Sequence, residues 1–123
     1  MNILLMDSSD IVLQKMQELL SEFGCIQKIY TANNLSNLFS TIHLKQPDII
    51  VIDISMPDKI GVEILQKIKL NLPKVKLIVV TNFATEQRKL ICMQNGVDYY
   101  FDKATEFEKV AMAIESECAN RST

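Results

Sequence analysis

Two four-residue runs, Ile49-Ile50-Val51-Ile52 and Leu77-Ile78-Val79-Val80, constrain this chain more than any other feature. Both are continuous and rich in β-branched residues. A strand with one wet face alternates apolar and polar residues, whereas a strand apolar at every position must be covered on both faces. That is the condition of a parallel sheet lying between two helical layers. Ile3-Leu4-Leu5-Met6 is a third run of this kind. Ile26 to Thr31 alternates more and is expected nearer an edge, and Tyr99-Tyr100-Phe101 reads as a short aromatic fifth strand.

Between these runs the period changes to that of a helix. Val12, Leu13, Met16, Leu19, Leu20 and Phe23 share one face, with Ser9 as N-cap and Gly24 as the expected stop. Leu35, Leu38, Phe39 and Ile42 repeat the pattern before Pro47, and Ile64, Leu65, Ile68 and Leu72 repeat it before Pro73. Thr85 to Asn95, ending at Gly96, is a weaker fourth helix. Phe107, Val110, Ala111, Ile114 and Cys118 mark a fifth. The order is strand then helix, five times over. With short connections and right-handed crossovers, this predicts an α/β fold: a (βα)5 doubly wound, five-stranded open parallel sheet with helices on both faces.

The 123 residues suit one domain, residues 1–123, large enough to bury a core without staples. Apolar residues at 48% and charged ones at 23% agree with a packed globular chain. Thirteen Lys and Arg against fifteen Asp and Glu give a net charge of −2, and no helix gathers a basic stripe, so direct nucleic-acid binding is disfavoured. No apolar run approaches the ~18 residues of a membrane span, and no charged leader precedes an apolar stretch. A cytoplasmic, reduced protein is expected, without membrane insertion. Cys25, Cys92 and Cys118 lie far apart without a C-x-x-C pair and read as small buried hydrophobes.

In open parallel sheets, ligands collect at the carboxyl ends of the strands. The residues there are Asp7 after the first strand, Asp53 after the third, Thr81 after the fourth and Lys103 after the fifth. Each alone is an ordinary loop residue: an Asp caps a turn, a Thr ends a strand, a Lys is solvated. Together they make a chemical set. Two carboxylates on one rim repel unless a cation separates them, and a hard divalent ion such as Mg²⁺ prefers that oxygen environment. A carboxylate beside such an ion can attack phosphorus and form an acyl phosphate. Lys103 adds a compact positive charge, and the Thr81 hydroxyl can donate to a phosphoryl oxygen once it is attached.

At this point the chain resembles a known family, the response-regulator receiver domains of CheY-like type, from Asn2 to about Cys118. The motif Asp48-Ile-Ile-Val-Ile-Asp53-Ile-Ser-Met-Pro57 followed by Gly61 looks like that family's phosphoacceptor strand and Met-Pro loop. The resemblance implies a flavodoxin-like sheet of order 2-1-3-4-5 and a phosphoacceptor at Asp53. It puts Thr81 on the switch hydroxyl, Lys103 on the phosphoryl-contacting lysine and Tyr100 on the switch aromatic. It also implies a Mg²⁺ site formed by Asp7, Asp53 and the backbone carbonyl of Ser55. The implied donor is a histidine kinase or histidine phosphotransfer protein, and the implied target docks on the face of helix four, strand five and helix five. Such a chain is no enzyme beyond self-catalysed phosphotransfer to Asp53 and slow autodephosphorylation. If Thr123 is the natural end, output is expected by binding another protein or by passing the phosphoryl group on.

Several positions depart from that family. Ser8 stands where a second acidic metal ligand is usual, so weaker Mg²⁺ binding is expected, with Asp10 or water as a substitute. Asp10 also reads simply as an acid favoured by the dipole at a helix start. Asn82 and Phe83 replace smaller or polar residues after Thr81, and Ala104 replaces a common proline. His43 and the cluster Lys67, Lys69, Lys74 and Lys76 read as solvated. Three other functions remain to be weighed. A degenerate receiver that binds partners without phosphorylation is suggested by Ser8, Asn82 and Phe83 and opposed by Asp53, Thr81 and Lys103. A phosphatase would need an acid two residues after Asp53, where Ser55 stands. A flavin phosphate would be repelled by Asp7-Ser8-Ser9-Asp10, which has no glycine for close approach. Phe83, in place of a water-positioning residue, predicts an acyl phosphate longer-lived than in receivers with a polar group there. Loss of radiolabel after phosphorylation, with Phe83→Asn shortening the lifetime, is the measurement.

Overall fold

A computed structural model describes residues 1–54, 59–82 and 84–121. Its elements are β1 (Asn2–Met6), α1 (Asp10–Leu20), β2 (Lys28–Ala32), α2 (Leu35–Lys45), β3 (Ile49–Asp53), α3 (Lys59–Asn71), β4 (Lys76–Thr81), α4 (Glu86–Gln94), β5 (Tyr99–Asp102) and α5 (Lys109–Arg121). The five strands form one sheet of order β2-β1-β3-β4-β5, every neighbour parallel. This is the expected doubly wound architecture, with the alternating β2 at an edge and the continuous apolar runs in the middle.

Alternation along each strand divides the core into two layers. Leu4, Ile50, Ile52, Leu77, Val79 and Tyr100 face α2, α3 and α4. Ile3, Leu5, Ile49, Val51, Ile78 and Val80 face α1 and α5. A slip of one residue would exchange the layers, so register is fixed by burial. Acids at the strand starts add to it: Asp48 accepts the Asn2 N–H at 2.7 Å, and Asp98 accepts the Leu77 N–H at 2.9 Å.

The helices start where short polar side chains satisfy free N–H groups. Ser9 accepts from Val12, Asn34 from Asn37 at 2.8 Å and Thr85 from Arg88 at 3.1 Å. Such a cap is worth about 1 kcal/mol. The first helix ends earlier than its apolar pattern suggested. Ser21 caps it in a right-handed conformation, and Gly24 lies in the following turn with nothing near it. Phe23 still packs on the core, from the turn.

Two further expectations change. Lys69 is largely covered, donating to the Val75 carbonyl at 2.6 Å and pairing with Asp98 at 3.7 Å. Cys25 and Cys118 are not separate buried thiols but a disulfide, with Cα atoms 6.0 Å apart. Ninety-three residues separate them, yet successive crossovers lay α1 and α5 on the same side of the sheet, which brings the turn after α1 to the end of α5. Among the described residues Cys92 alone is a free, buried thiol.

Gly96 carries φ +91°, and a Cβ there would stand 3.1 Å from Lys69 Cγ and Cε. Gly96→Ala is therefore expected to lose about 1–3 kcal/mol in urea unfolding. Gly24→Ala, in open space, should stay within about 0.5 kcal/mol.

Candidate functional site

Parallel pairing levels the strands so that their ends form one rim. The register sets Met6 beside Ile52, Asp53 beside Val80 and Thr81 beside Asp102. The chain then crosses the rim by backbone bonds, with the Asp7 N–H donating to Ala32 at 3.1 Å and the Lys103 N–H donating to Thr81 at 2.9 Å. Asp7, Asp53, Thr81 and Lys103 thus lie along one rim.

Lys103 is the centre of the group. Its Nζ donates to Asp7 Oδ2 at 2.5 Å and to Asp53 Oδ2 at 3.0 Å. The three side chains are nearly enclosed, at 13%, 1% and 7% exposure. Asp7 Oδ1 accepts the Ser9 N–H at 2.8 Å, so the residue that caps α1 also orients this carboxylate. Burial pushes the Lys103 ammonium toward lower pKa, but the two carboxylates outweigh it and the net shift is upward. One ammonium against two carboxylates leaves the described cluster with a net negative charge, which favours a further cation.

Thr81 is buried at the rim. Together with Tyr100, Ile54, Gly61, Arg88 and Cys92 it borders a cavity of about 40 Å³ beneath α4. The Tyr100 hydroxyl is buried without a hydrogen bond of good geometry. Burial pushes its pKa up, and the nearby Thr85 backbone partly opposes this.

The remaining expectations divide. Ser8 is exposed beside Asp7, and Asp10 is exposed in the first turn of α1, where its charge suits the helix dipole. Asn82 and His43 are exposed. Ser55 with Met56 and Pro57, and Phe83, lie outside the described residues. None of the described peptide bonds is cis, and the Ala104 N–H donates to Asp102 Oδ1 at 2.8 Å. Among the described residues no group of three acidic, histidine or cysteine side chains is arranged to hold a metal.

Sequence reasoning missed the clamp that aims Lys103. Asp102 Oδ1 also accepts the Thr105 N–H at 3.2 Å, while Glu106 Oε1 takes the Asp102 N–H at 3.0 Å. Glu106 in turn pairs with Lys109 at 2.9 Å, and that cation holds its carboxyl below the usual range. The signal was present as an Asp followed by a polar turn, which favours an Asx turn.

Comparison with known proteins agrees with this fold. The model of the response regulator receiver domain matches residues 3–115. The chain is 27% identical over 120 residues to the response regulator protein VraR of Staphylococcus saprophyticus, covering 98% of this chain and 57% of that one. VraR of Staphylococcus epidermidis is 28% identical over 112 residues, covering 91% and 54%. The chain therefore spans a little over half the length of these relatives. Among solved structures, a CheY-like receiver domain protein of Methanospirillum hungatei superposes with TM-score 0.83 at 22% identity, covering 98% and 95% of the two chains. A response regulator of Thermotoga maritima gives 0.85 at 14% identity, covering 96% and 97%. Likeness at such identities concerns the fold.

Replacing Lys103 by Met leaves two enclosed carboxylates facing each other. The expected loss is about 3 kcal/mol in urea unfolding at neutral pH, partly recovered by Mg²⁺. Because the folded-state pKa of Lys103 is raised, its contribution is complete below the unfolded value of about 10.4 and is lost as pH rises through the folded value. The gap between the two proteins should stay flat through neutral pH and close in alkali.

Proposed function

The chain belongs to the response regulator receiver domain family, and from that membership we propose that it is the phosphoacceptor of a two-component or phosphorelay system, modified on Asp53. The donor is a phosphohistidine of a histidine kinase or phosphotransfer protein. Such donors are charged from ATP, so this function belongs in the cytoplasm. No helix among the described residues is long and apolar enough to cross a membrane.

The observation that carries this reading is the single ammonium shared by Asp7 and Asp53. It holds the acceptor oriented at the rim where a phosphate can arrive. In the transfer, an oxygen of Asp53 bonds to phosphorus as the P–N bond of the donor breaks. The bonding pair leaves with the imidazole nitrogen, which takes a proton from solvent. Hydrolysis of the acyl phosphate by water resets the protein. It turns over no separate substrate.

Receiver domains bind Mg²⁺ in their acidic pocket. The donors here fit that ion, which commonly takes one or two carboxylates and keeps several waters. Asp7 and Asp53 would hold it, with the Ser55 carbonyl as a further candidate. Ser8 leaves one anionic donor fewer than a pair of adjacent acids supplies, which lowers affinity. When bound, the ion neutralises charge on the phosphoryl oxygens.

Attachment of a dianionic group competes for Lys103 and offers an acceptor to the Thr81 hydroxyl. These contacts exist only in the modified state, so they shift the population toward it. Thr81 and Tyr100 border one cavity with α4 residues, which connects that shift to the α4, β5 and α5 face. Leu90 and Met93 on α4 and Met112 on α5 are exposed there and suit a protein target.

Intact-mass spectrometry after incubation with acetyl phosphate tests this. One phosphoryl adduct is expected with Mg²⁺, much less without it, and none in Asp53→Asn. Absence of an adduct with acetyl phosphate and with a panel of phosphorylated histidine kinases would overturn the proposal.

A further inference from the structure

We propose that Cys25 and Cys118 form a reversible redox site, closed by thiol–disulfide exchange with a low-molecular-weight disulfide of the glutathione type, and that closure fixes the end of α5. The site lies at the pole of the molecule opposite the phosphoacceptor and is independent of it.

Three observations support this. The Cα separation of 6.0 Å is within the range a disulfide bridges, so the fold itself presents the two sulfurs to each other. The pair is reachable: Cys25 is exposed in the turn after α1, and a surface cleft is bordered by Cys25, Cys118, Met1, Asp48 and Arg121. A buried structural bridge would lack such an approach. Finally, the bridge joins the turn after α1 to the last turns of α5, where the buried Glu117 already accepts the Tyr99 hydroxyl at 2.8 Å. Arg121, one turn beyond Cys118, reaches Asp48 by one exposed ion pair at 3.3 Å, and such pairs contribute little. The bond therefore adds a covalent tie to the last turns of α5. Where a cytosolic protein forms a disulfide, the bond is usually transient and redox-sensing.

The exchange balances. The exposed Cys25 thiolate attacks one sulfur of the small disulfide, whose S–S bond breaks and releases one small thiolate. The Cys118 thiolate then attacks the Cys25 sulfur, and the mixed disulfide breaks to release the second. Two protein thiols lose two electrons, the small disulfide gains them, and the two thiol protons end on the two small thiols. Cys92, buried and free, takes no part.

The test uses the whole chain, reduced with dithiothreitol, freed of it and then incubated with glutathione disulfide. After denaturing alkylation, the reduced protein should carry three maleimides, one per cysteine, and the treated protein one, on Cys92. Cys118→Ser should instead stop at a glutathione adduct on Cys25. The closed form should melt on the order of 10 °C above the reduced form, and hydrogen exchange of residues 115–121 should slow on closure. Native dithiothreitol should reverse all of these. Adducts that never resolve into the bridge, a bridge that native reductant cannot open, or equal exchange of the α5 end in both forms would each overturn the proposal.

Discussion

The ammonium of Lys103 lies between the carboxylates of Asp7 and Asp53, and the rim of the sheet depends on that contact. The ammonium offsets the repulsion between two enclosed carboxylates, and they in turn offset its loss of water. Desolvation is the largest influence on Lys103, yet it is outweighed. A buried ion group of this kind is an uncertain source of stability, because the energy of leaving water offsets much of the attraction. Its value is positional. It ties the ends of β1, β3 and β5 together, and the Lys103 N–H adds β4 through Thr81.

Such a contact requires a rigid base. The sheet supplies it by burying every residue of β3 from Ile49 to Ile52 and of β4 from Leu77 to Thr81. With apolar layers on both faces, no strand can slide without exchanging core for solvent. The acids that precede β3 and β5 lock the opposite ends: Asp48 links β1 to β3, and Asp98 links β4 to β5. The charges of Asp7, Asp53 and Lys103 at one end of the sheet thus stand opposite hydrogen-bonded acids at the other.

Most of this was legible in the sequence, for identifiable reasons. Continuous β-branched runs revealed strands covered on both faces, and parallel pairing places the residues after them on one rim, so Asp7, Asp53, Thr81 and Lys103 could be brought together without coordinates. Other features depend on proximity that no local pattern encodes. The α1 pattern included Phe23, because a residue in a turn can face the core as well as one in a helix. Lys69 looked solvated, because its partners, Val75 and Asp98, lie in different segments. Cys25 and Cys118 looked isolated, because only the handedness of the crossovers brings α1 and α5 to the same layer. The Asp102 and Glu106 clamp was written locally, as an Asx turn, but its purpose depends on the side chain between them.

α5 connects the two poles. Its thirteen residues extend roughly 20 Å. The Glu106–Lys109 pair secures its first turn near the rim, while the Cys25–Cys118 bridge secures its last turns. Between them, the Tyr99 hydroxyl donates to the buried Glu117 at 2.8 Å and holds the helix to β5. A helix fixed covalently at one end can tilt about that end but cannot slide along its axis. Rearrangement at the rim would then be greatest in the turns nearest Lys103 and smallest near Cys118. With the bridge open, the same rearrangement could move the helix as a whole. The charge state of Asp53 and the redox state of the distant cysteines would therefore act on one mechanical element. They would alter different freedoms of it, without any contact between the two sites.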